Sequence, residues 1–268
     1  MTQDVARVGD YRIERELGND ATGVIYEATH LVLPRRAALK VCHDRSCAVQ
    51  LMREACVLEA LAHPGVPRVY ECGVLPDKRP WVARELVDGI SIGERLGRGS
   101  MALSDIVVMV RTISEILAHA HARGVVHDRL GNTAVIVTPQ RPFPYCVRGW
   151  TSVVVQDSER GADPSADVHA LGVLAYRALI GELPERPSAQ ENATAAPLEL
   201  TALIDQMLAD DPRWRPTATE VRDRAAWLAQ TLELVPDARP RWTPPHGLGE
   251  RASTQAEPEL DVVVRIRS

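Results

Sequence analysis

Two short segments near the start of the chain decide the fold: Tyr11-Arg12-Ile13-Glu14-Arg15-Glu16-Leu17-Gly18 and, after four residues, Gly23-Val24-Ile25-Tyr26-Glu27-Ala28. Apolar and polar residues alternate in both, which is typical of half-buried β-strands. Gly18 and Gly23 mark a turn between them, because glycine adopts turn conformations at little steric cost. The sequence therefore predicts two strands joined by a glycine-flanked turn.

The residues that follow continue this β-rich pattern and add one helix. Further strands are predicted over residues 37–42, 67–72 and 81–86. A helical pattern runs from about residue 49 to 62 and stops before His63-Pro64-Gly65. We interpret the next polar segment, Val87-Asp88-Gly89, as a hinge.

Beyond the hinge the apolar periodicity is helical. Apolar residues recur at helical spacing over residues 103–122, and further helices are predicted over 166–180 and 198–208. Thr217 is a favourable N-cap for a last helix that reaches about residue 232. The second part of the chain is therefore expected to be mainly α-helical.

Several motifs along this succession resemble those of the bacterial Hanks-type serine/threonine protein kinases, and they occur in the same order. Ala37-Ala38-Leu39-Lys40 matches the family's lysine motif, and Arg53-Glu54-Ala55 matches its helical glutamate. The segment 165–172 resembles the start of the long helix of the C-terminal lobe, and 211–216 resembles the closing signature. The resemblance implies an α+β fold with two lobes, a small β-rich N-lobe and a larger helical C-lobe.

On this resemblance the chain divides into four parts. Residues 1–10 form an N-terminal extension, 11–88 the N-lobe, 89–232 the C-lobe and 233–268 a proline-rich tail. The tail ends in Leu260–Arg267, which alternates like a strand and is either a frayed end or a strand added to this or another sheet.

Three positions that carry catalysis in the family hold other residues here. His127-Asp128-Arg129 stands where the family has His-Arg-Asp, so Arg129 takes the place of the catalytic base, and a guanidinium accepts no proton. Ala134 and Gly149 align with the asparagine and the aspartate that hold magnesium. Since neither side chain ligates a metal ion, no metal site is expected.

A vestigial nucleotide pocket is implied by a second set of aligned positions: Gly18, Gly23, Ile25, Ala38, Lys40, Glu54 and Ile136. Asp20 replaces the second glycine of the family's loop and is expected to repel phosphates. Arg84 aligns with the gatekeeper at the back of the pocket. It either pairs with Glu54, which displaces Lys40, or reaches solvent.

A third set implies packing rather than chemistry. His127, Trp150 and Leu58 resemble the stacked side chains of the family's regulatory spine, and Asp167 resembles the anchor of the catalytic loop. Arg215 belongs to the closing signature and is also expected to be structural.

Composition excludes several other classes of protein. No apolar segment approaches the ~20 residues of a membrane span, and the N-terminus lacks a signal-peptide apolar region. A net charge of -5 with mixed signs argues against a nucleic-acid partner. The five cysteines are expected to be reduced and mostly buried thiols. A cytoplasmic protein that binds neither nucleic acid nor membrane is expected.

These substitutions predict a pseudokinase and not an enzyme. It would need no cofactor, would bind ATP at most weakly and without magnesium, and would serve as a scaffold or allosteric regulator of a protein partner, such as another kinase or signalling protein. Two alternatives stay open. One is an atypical nucleotide-dependent kinase or transferase with replacement ligands among Asp20, Asp128 and Asp157. The other is a metal-independent ATP sensor. Convergence of two carboxylates at the phosphate position would favour the first.

Overall fold

A computed structural model of the protein describes residues 7–141, 143–150, 154–155, 163–181, 188–193 and 195–232. Its strands and helices follow the chain in this order: β1 Arg7–Val8, β2 Tyr11–Asp20, β3 Gly23–His30, β4 Arg36–Cys42, α1 Ala48–Leu61, β5 Val69–Val74, β6 Pro80–Glu85, β7 Ile90–Ser91, α2 Ile92–Leu96, α3 Leu103–His121, β8 Val125–Val126, β9 Val135–Val137, β10 Tyr145–Val147, β11 Val154–Val155, α4 Pro164–Ile180, α5 Ala189–Asn192, α6 Leu198–Met207 and α7 Ala218–Thr231. The α+β class with a β-rich N-lobe and a helical C-lobe is confirmed.

The N-lobe is built on a six-stranded antiparallel sheet in the order β1-β2-β3-β4-β6-β5. Residues 1–10, which were expected to form an N-terminal extension, contribute the short strand β1, in which Arg7 and Val8 pair with Arg12 and Tyr11. Burial explains this pairing, because Val8 and Tyr11 pack with Trp81 in the apolar core of the sheet.

The C-lobe is organised around α3, whose apolar positions recur at helical spacing. Ile106, Val110, Ile113 and Leu117 are fully buried. Helices α4 and α7 pack against α3 in one continuous apolar core. Small antiparallel sheets, β7-β9-β10 and β8-β11, were not predicted, since strands of two or three residues leave little periodicity to detect. Among the described residues no helix is long and apolar enough to cross a membrane.

The cysteines differ from the expectation of mostly buried thiols. Cys42 at the end of β4 and Cys47 lie side by side, because the 3-10 turn Arg45–Cys47 brings the chain back beside the strand, with 6.6 Å between the two Cα atoms. Cys56 and Cys72 are exposed, and Cys146 is buried.

Asp167 in the first turn of α4 fixes the loop that carries the catalytic positions. It is 1% exposed, and its two carboxylate oxygens accept hydrogen bonds from the backbone N–H groups of His127 (2.8 Å) and Asp128 (2.9 Å). Nε2 of His121 lies 2.9 Å from Oδ2 of the same carboxylate. One buried side chain thus holds a loop 40 residues earlier in the sequence.

We predict that Asp167→Asn lowers the free energy of unfolding by about 2–3 kcal/mol, because an amide group cannot accept both backbone N–H bonds and leaves a buried donor unsatisfied. Urea unfolding measures this change. Asp163→Asn is the control: Asp163 caps α4 through Ser165 N at 2.9 Å, and asparagine caps equally well. Equal stability of the two variants would contradict the anchoring role of Asp167.

Candidate functional site

A cleft with a volume of about 480 Å³ lies between the sheet and the helical part. Leu17, Ile25 and Ala38 provide apolar lining from the sheet, and the end of β6 with the two residues after it (84–87) also lines the cleft. The helical part contributes His127, Arg129, Thr133, Ala134, Arg148 and Gly149. A slot of this size and mixed polarity suits a small organic ligand that carries charge at one end.

The glycine-flanked turn is held close to β4. A Cβ atom on Gly23 would lie 2.3 Å from the carbonyl oxygen of Val41, so this close approach requires glycine. Around Gly18 no atom would obstruct a Cβ. Ile136, which was expected to line the slot, is buried in β9, where it pairs with Cys146 and Ser91, and it is not among the cleft's lining residues.

Lys40 lies on β4 with its side chain only 2% exposed. Its Nζ donates to Oδ2 of Asp20 over 2.9 Å. The other oxygen of Asp20 accepts from Thr22 N (2.8 Å), Thr22 Oγ1 (2.6 Å) and Gly23 N (3.0 Å). Burial raises the pKa of Asp20, but the hydrogen bonds from Thr22 and Lys40 outweigh burial and hold that pKa well below its usual range. The aspartate of the turn is therefore the anion that neutralises the buried lysine.

Arg84 pairs with Glu54, the glutamate that the family resemblance makes the partner of Lys40. Its Nη1 lies 2.5 Å from Oε1 of Glu54, and the two side chains are 12% and 3% exposed. Of the two orientations foreseen for Arg84, the structure thus has the one directed at Glu54. The lysine–glutamate pair of the family is replaced by two pairs, Lys40–Asp20 and Arg84–Glu54.

Two more arginines bring positive charge to the helical side of the cleft. Arg148 Nε donates to the carbonyl of Thr133 over 3.1 Å, and Arg129 is exposed at the position of the family's base. In the part of the chain that the structure describes, neither guanidinium forms an ion pair with a carboxylate. Burial lowers the pKa of Arg148, and the nearby charge of Arg84 lowers it further. A bound anion would favour the charged guanidinium and so offset both effects.

Beneath these arginines, His127 and Trp150 form the packed base of the site. Their rings lie 4.8 Å apart, edge to face, and His127 is 1% exposed. Nε2 of His127 faces the carbonyl of Arg148 at 3.1 Å, while Nδ1 accepts from the backbone N–H of Arg129 at 3.3 Å. This pattern assigns the proton to Nε2. Burial lowers the pKa of His127, which favours the neutral ring.

Leu58 and Arg215, which were also expected to have packing roles, are not among the residues that line the cleft. Leu58 on α1 is buried in the same apolar cluster as Trp150. Arg215 donates from Nε to the carbonyl of Ala209 over 2.8 Å and so ties the segment after α6.

The donor set around the cleft does not fit the family's magnesium site. Ala134 and Gly149 offer no side-chain ligand atoms, and the carboxylates among the lining residues are Asp20 and Glu85. Asp20 is paired with Lys40, and Glu85 with Arg141 at 3.2 Å. Within the described ranges no three His, Cys, Asp or Glu side chains cluster to hold a metal ion. Asp128 is not among the lining residues, and Asp157 lies outside the described residues.

Comparison with known proteins shows what this chain is similar to. Residues 11–159 match the family model described as protein tyrosine and serine/threonine kinase. The chain is 26% identical to serine/threonine-protein kinase PknJ of Mycobacterium tuberculosis over 88% of this chain and 47% of that protein. It is 27% identical to serine/threonine-protein kinase pkn2 of Myxococcus xanthus over 91% of this chain and 34% of that protein. The chain thus spans less than half the length of these relatives.

Among solved structures, the autoinhibited serine kinase domain of the giant muscle protein titin superimposes with a TM-score of 0.71 at 18% sequence identity. The match covers 84% of this chain and 81% of the titin domain. At this identity the similarity shows the fold alone.

The expectation that the chain is not an enzyme is wrong. Its relatives are named as serine/threonine-protein kinases, and its fold is that of a kinase domain. That expectation required a carboxylate base and metal ligands at fixed positions.

We predict that Arg84 and Glu54 are energetically coupled. Removing either partner leaves the other as a buried unpaired charge, so Arg84→Met and Glu54→Gln should each destabilise the protein by about 2–4 kcal/mol, whereas the double variant should recover a large part of the loss. A double-mutant cycle in urea unfolding measures the coupling. Additive losses would show that Arg84 is directed to solvent.

Proposed function

We propose that this chain, which belongs to the protein tyrosine and serine/threonine kinase family, is an atypical nucleotide-dependent phosphotransferase that binds ATP in the cleft between its sheet and its helices. The observation that carries the proposal is the composition of the cleft. An apolar slot from Leu17, Ile25 and Ala38 adjoins the guanidinium groups of Arg129 and Arg148. The slot suits a flat base, and arginine pairs readily with phosphate oxygens.

Arginine and lysine would neutralise the triphosphate in place of magnesium. The cleft holds no suitable set of metal ligands among the described residues, but Arg129, Arg148 and the buried Lys40 lie on or beside it. Arginine remains protonated at any physiological pH and binds phosphate in a bidentate manner. Weak binding of ATP that does not depend on magnesium follows from this arrangement.

In the proposed step, a hydroxyl oxygen of the acceptor forms a bond to the γ-phosphorus of ATP. The bond from that phosphorus to the β,γ-bridging oxygen breaks, and ADP leaves. Phosphoryl transfer passes through a loose transition state that needs positioning and charge stabilisation more than a strong base. Because Arg129 cannot accept the hydroxyl proton, the proton passes to a phosphoryl oxygen or to water, and we expect slow turnover.

The acceptor in this proposal is a serine or threonine hydroxyl of a partner protein. The names of the relatives support this class of acceptor, since they are serine/threonine-protein kinases. The absence of a basic stripe in the sequence supports a protein over a nucleic acid, and we place the reaction in the cytoplasm.

The chain's two lysines supply a matched test of phosphotransfer from γ-labelled ATP to a serine- and threonine-containing peptide library. We expect slow transfer by the wild type and a loss of about 100-fold in Lys40→Met, because one preorganised cation next to the phosphates is removed. Lys78→Met, at the exposed second lysine, should retain wild-type transfer.

Two outcomes would contradict the proposal. Equal transfer by both lysine variants would identify a contaminating kinase as its source. Absence of transfer, together with absence of nucleotide binding, would remove the enzyme assignment.

A further inference from the structure

The turn between β2 and β3 holds the carboxylate of Asp20 against the ammonium group of Lys40. Asp20 and Lys40 are 20 residues apart in sequence, yet Oδ2 and Nζ lie 2.9 Å apart. The lysine is buried, whereas the aspartate side chain is 43% exposed and also lines the cleft. The anion is therefore the partner that solvent and a ligand can reach.

This carboxylate is held in place by more than its charge. Oδ1 of Asp20 accepts three hydrogen bonds from Thr22 and Gly23, within the turn itself. Nε2 of His43 lies 3.0 Å from both Asp20 O and Asn19 Oδ1, which ties the turn to the residue after β4. The turn is thus fastened in the position that brings Oδ2 to Lys40.

The alternative anion for Lys40 is already occupied. Glu54 lines the same small gap as Lys40, between β4 and α1, but it is paired with Arg84. Lys40 therefore has one anionic partner among the described side chains, and that partner occupies the place where a ligand phosphate would bind.

We infer that Asp20 is an affinity- and specificity-determining residue: an internal carboxylate that a nucleotide phosphate must displace from Lys40. This inference rests on the proposed function. A ligand without phosphate gains nothing from Lys40 and loses nothing to Asp20. A triphosphate must first displace Asp20 from Lys40. Its apparent affinity is therefore the intrinsic affinity multiplied by the fraction of molecules in which Lys40 is available. The contact therefore weakens ATP binding while it leaves adenosine binding unchanged.

The test compares ATP with adenosine by isothermal titration calorimetry on the full chain. In Asp20→Asn, a near-isosteric amide keeps an oxygen for the turn but no longer carries charge. We expect the Kd for ATP to fall about tenfold and the Kd for adenosine to stay within about twofold. Asp44→Asn is the matched control, because Asp44 also accepts from a residue two positions later, Ser46 N at 2.7 Å, but does not contact Lys40.

A second comparison separates displacement from simple charge repulsion. If Asp20 acts through Lys40, the gain from Asp20→Asn should vanish in a Lys40→Met background. A gain that persists without the lysine would overturn the inference, since repulsion of phosphate by Asp20 would then explain it.

Asp20→Asn leaves a buried ammonium without its partner, so a fallback comparison uses variants in which this ammonium is absent. Lys40→Met and Asp20→Asn/Lys40→Met are compared in the same titration. Equal Kd values for ATP in these two variants, each weaker than in the wild type, support the inference, and tighter binding by the double variant overturns it.

The outcomes distinguish this inference from the proposed function. If the wild type binds ATP and Asp20→Asn binds it no more tightly, the inference fails and the proposed function stands. If neither the wild type nor any Asp20 variant binds ATP or adenosine, both fail.

Discussion

A buried ammonium group needs an anion, and this requirement organises the site. Lys40 is fixed in the middle of the sheet by pairing of β4 with β3 and β6, so its Nζ cannot reach bulk solvent. Arg84, on the neighbouring strand β6, holds Glu54 on α1. The remaining anion is Asp20, and the turn that carries it is consequently drawn over the cleft. The position of the turn, the composition of the cleft and the proposed control of affinity all follow from these two ion pairs.

The change in charge around the cleft explains how a kinase fold without the family's metal ligands is compatible with phosphate chemistry. Loss of carboxylates at positions 129 and 149 removes negative charge from the cleft, and Arg84, Arg129 and Arg148 add positive charge. A cleft of this charge attracts a phosphate group directly, whereas the family's arrangement recruits a metal ion first. The scaffold beneath stays rigid, because Asp167 and the His127–Trp150 pair hold the loop independently of any ligand.

The sequence was sufficient for much of the fold because the main strands and helices are long enough to show periodicity, and the motif order supplied the lobes. It did not reveal β1, whose two residues are too few to show a pattern, or the proximity of Cys42 and Cys47, which depends on a 3-10 turn. In the site, the sequence allowed Arg84 to point to solvent or to Glu54. The pairing with Glu54 depends on the packing of α1 against β6, which the sequence does not show. Asp20 was recognised as a carboxylate facing phosphate, but not as the partner of Lys40, since that contact depends on where the turn closes. The prediction of a non-enzyme failed because it treated lost ligands as lost function.

The most direct test is the melting temperature of the wild-type protein with millimolar ATP, measured once with magnesium and once with EDTA. Ligand binding stabilises the native state by RT ln(1 + [L]/Kd), so the shift reports affinity. If cationic side chains take the place of the metal, ATP should raise the melting temperature by a similar amount in both buffers. A shift that appears only with magnesium would contradict this account, because it would require metal ligands that the cleft described here does not provide.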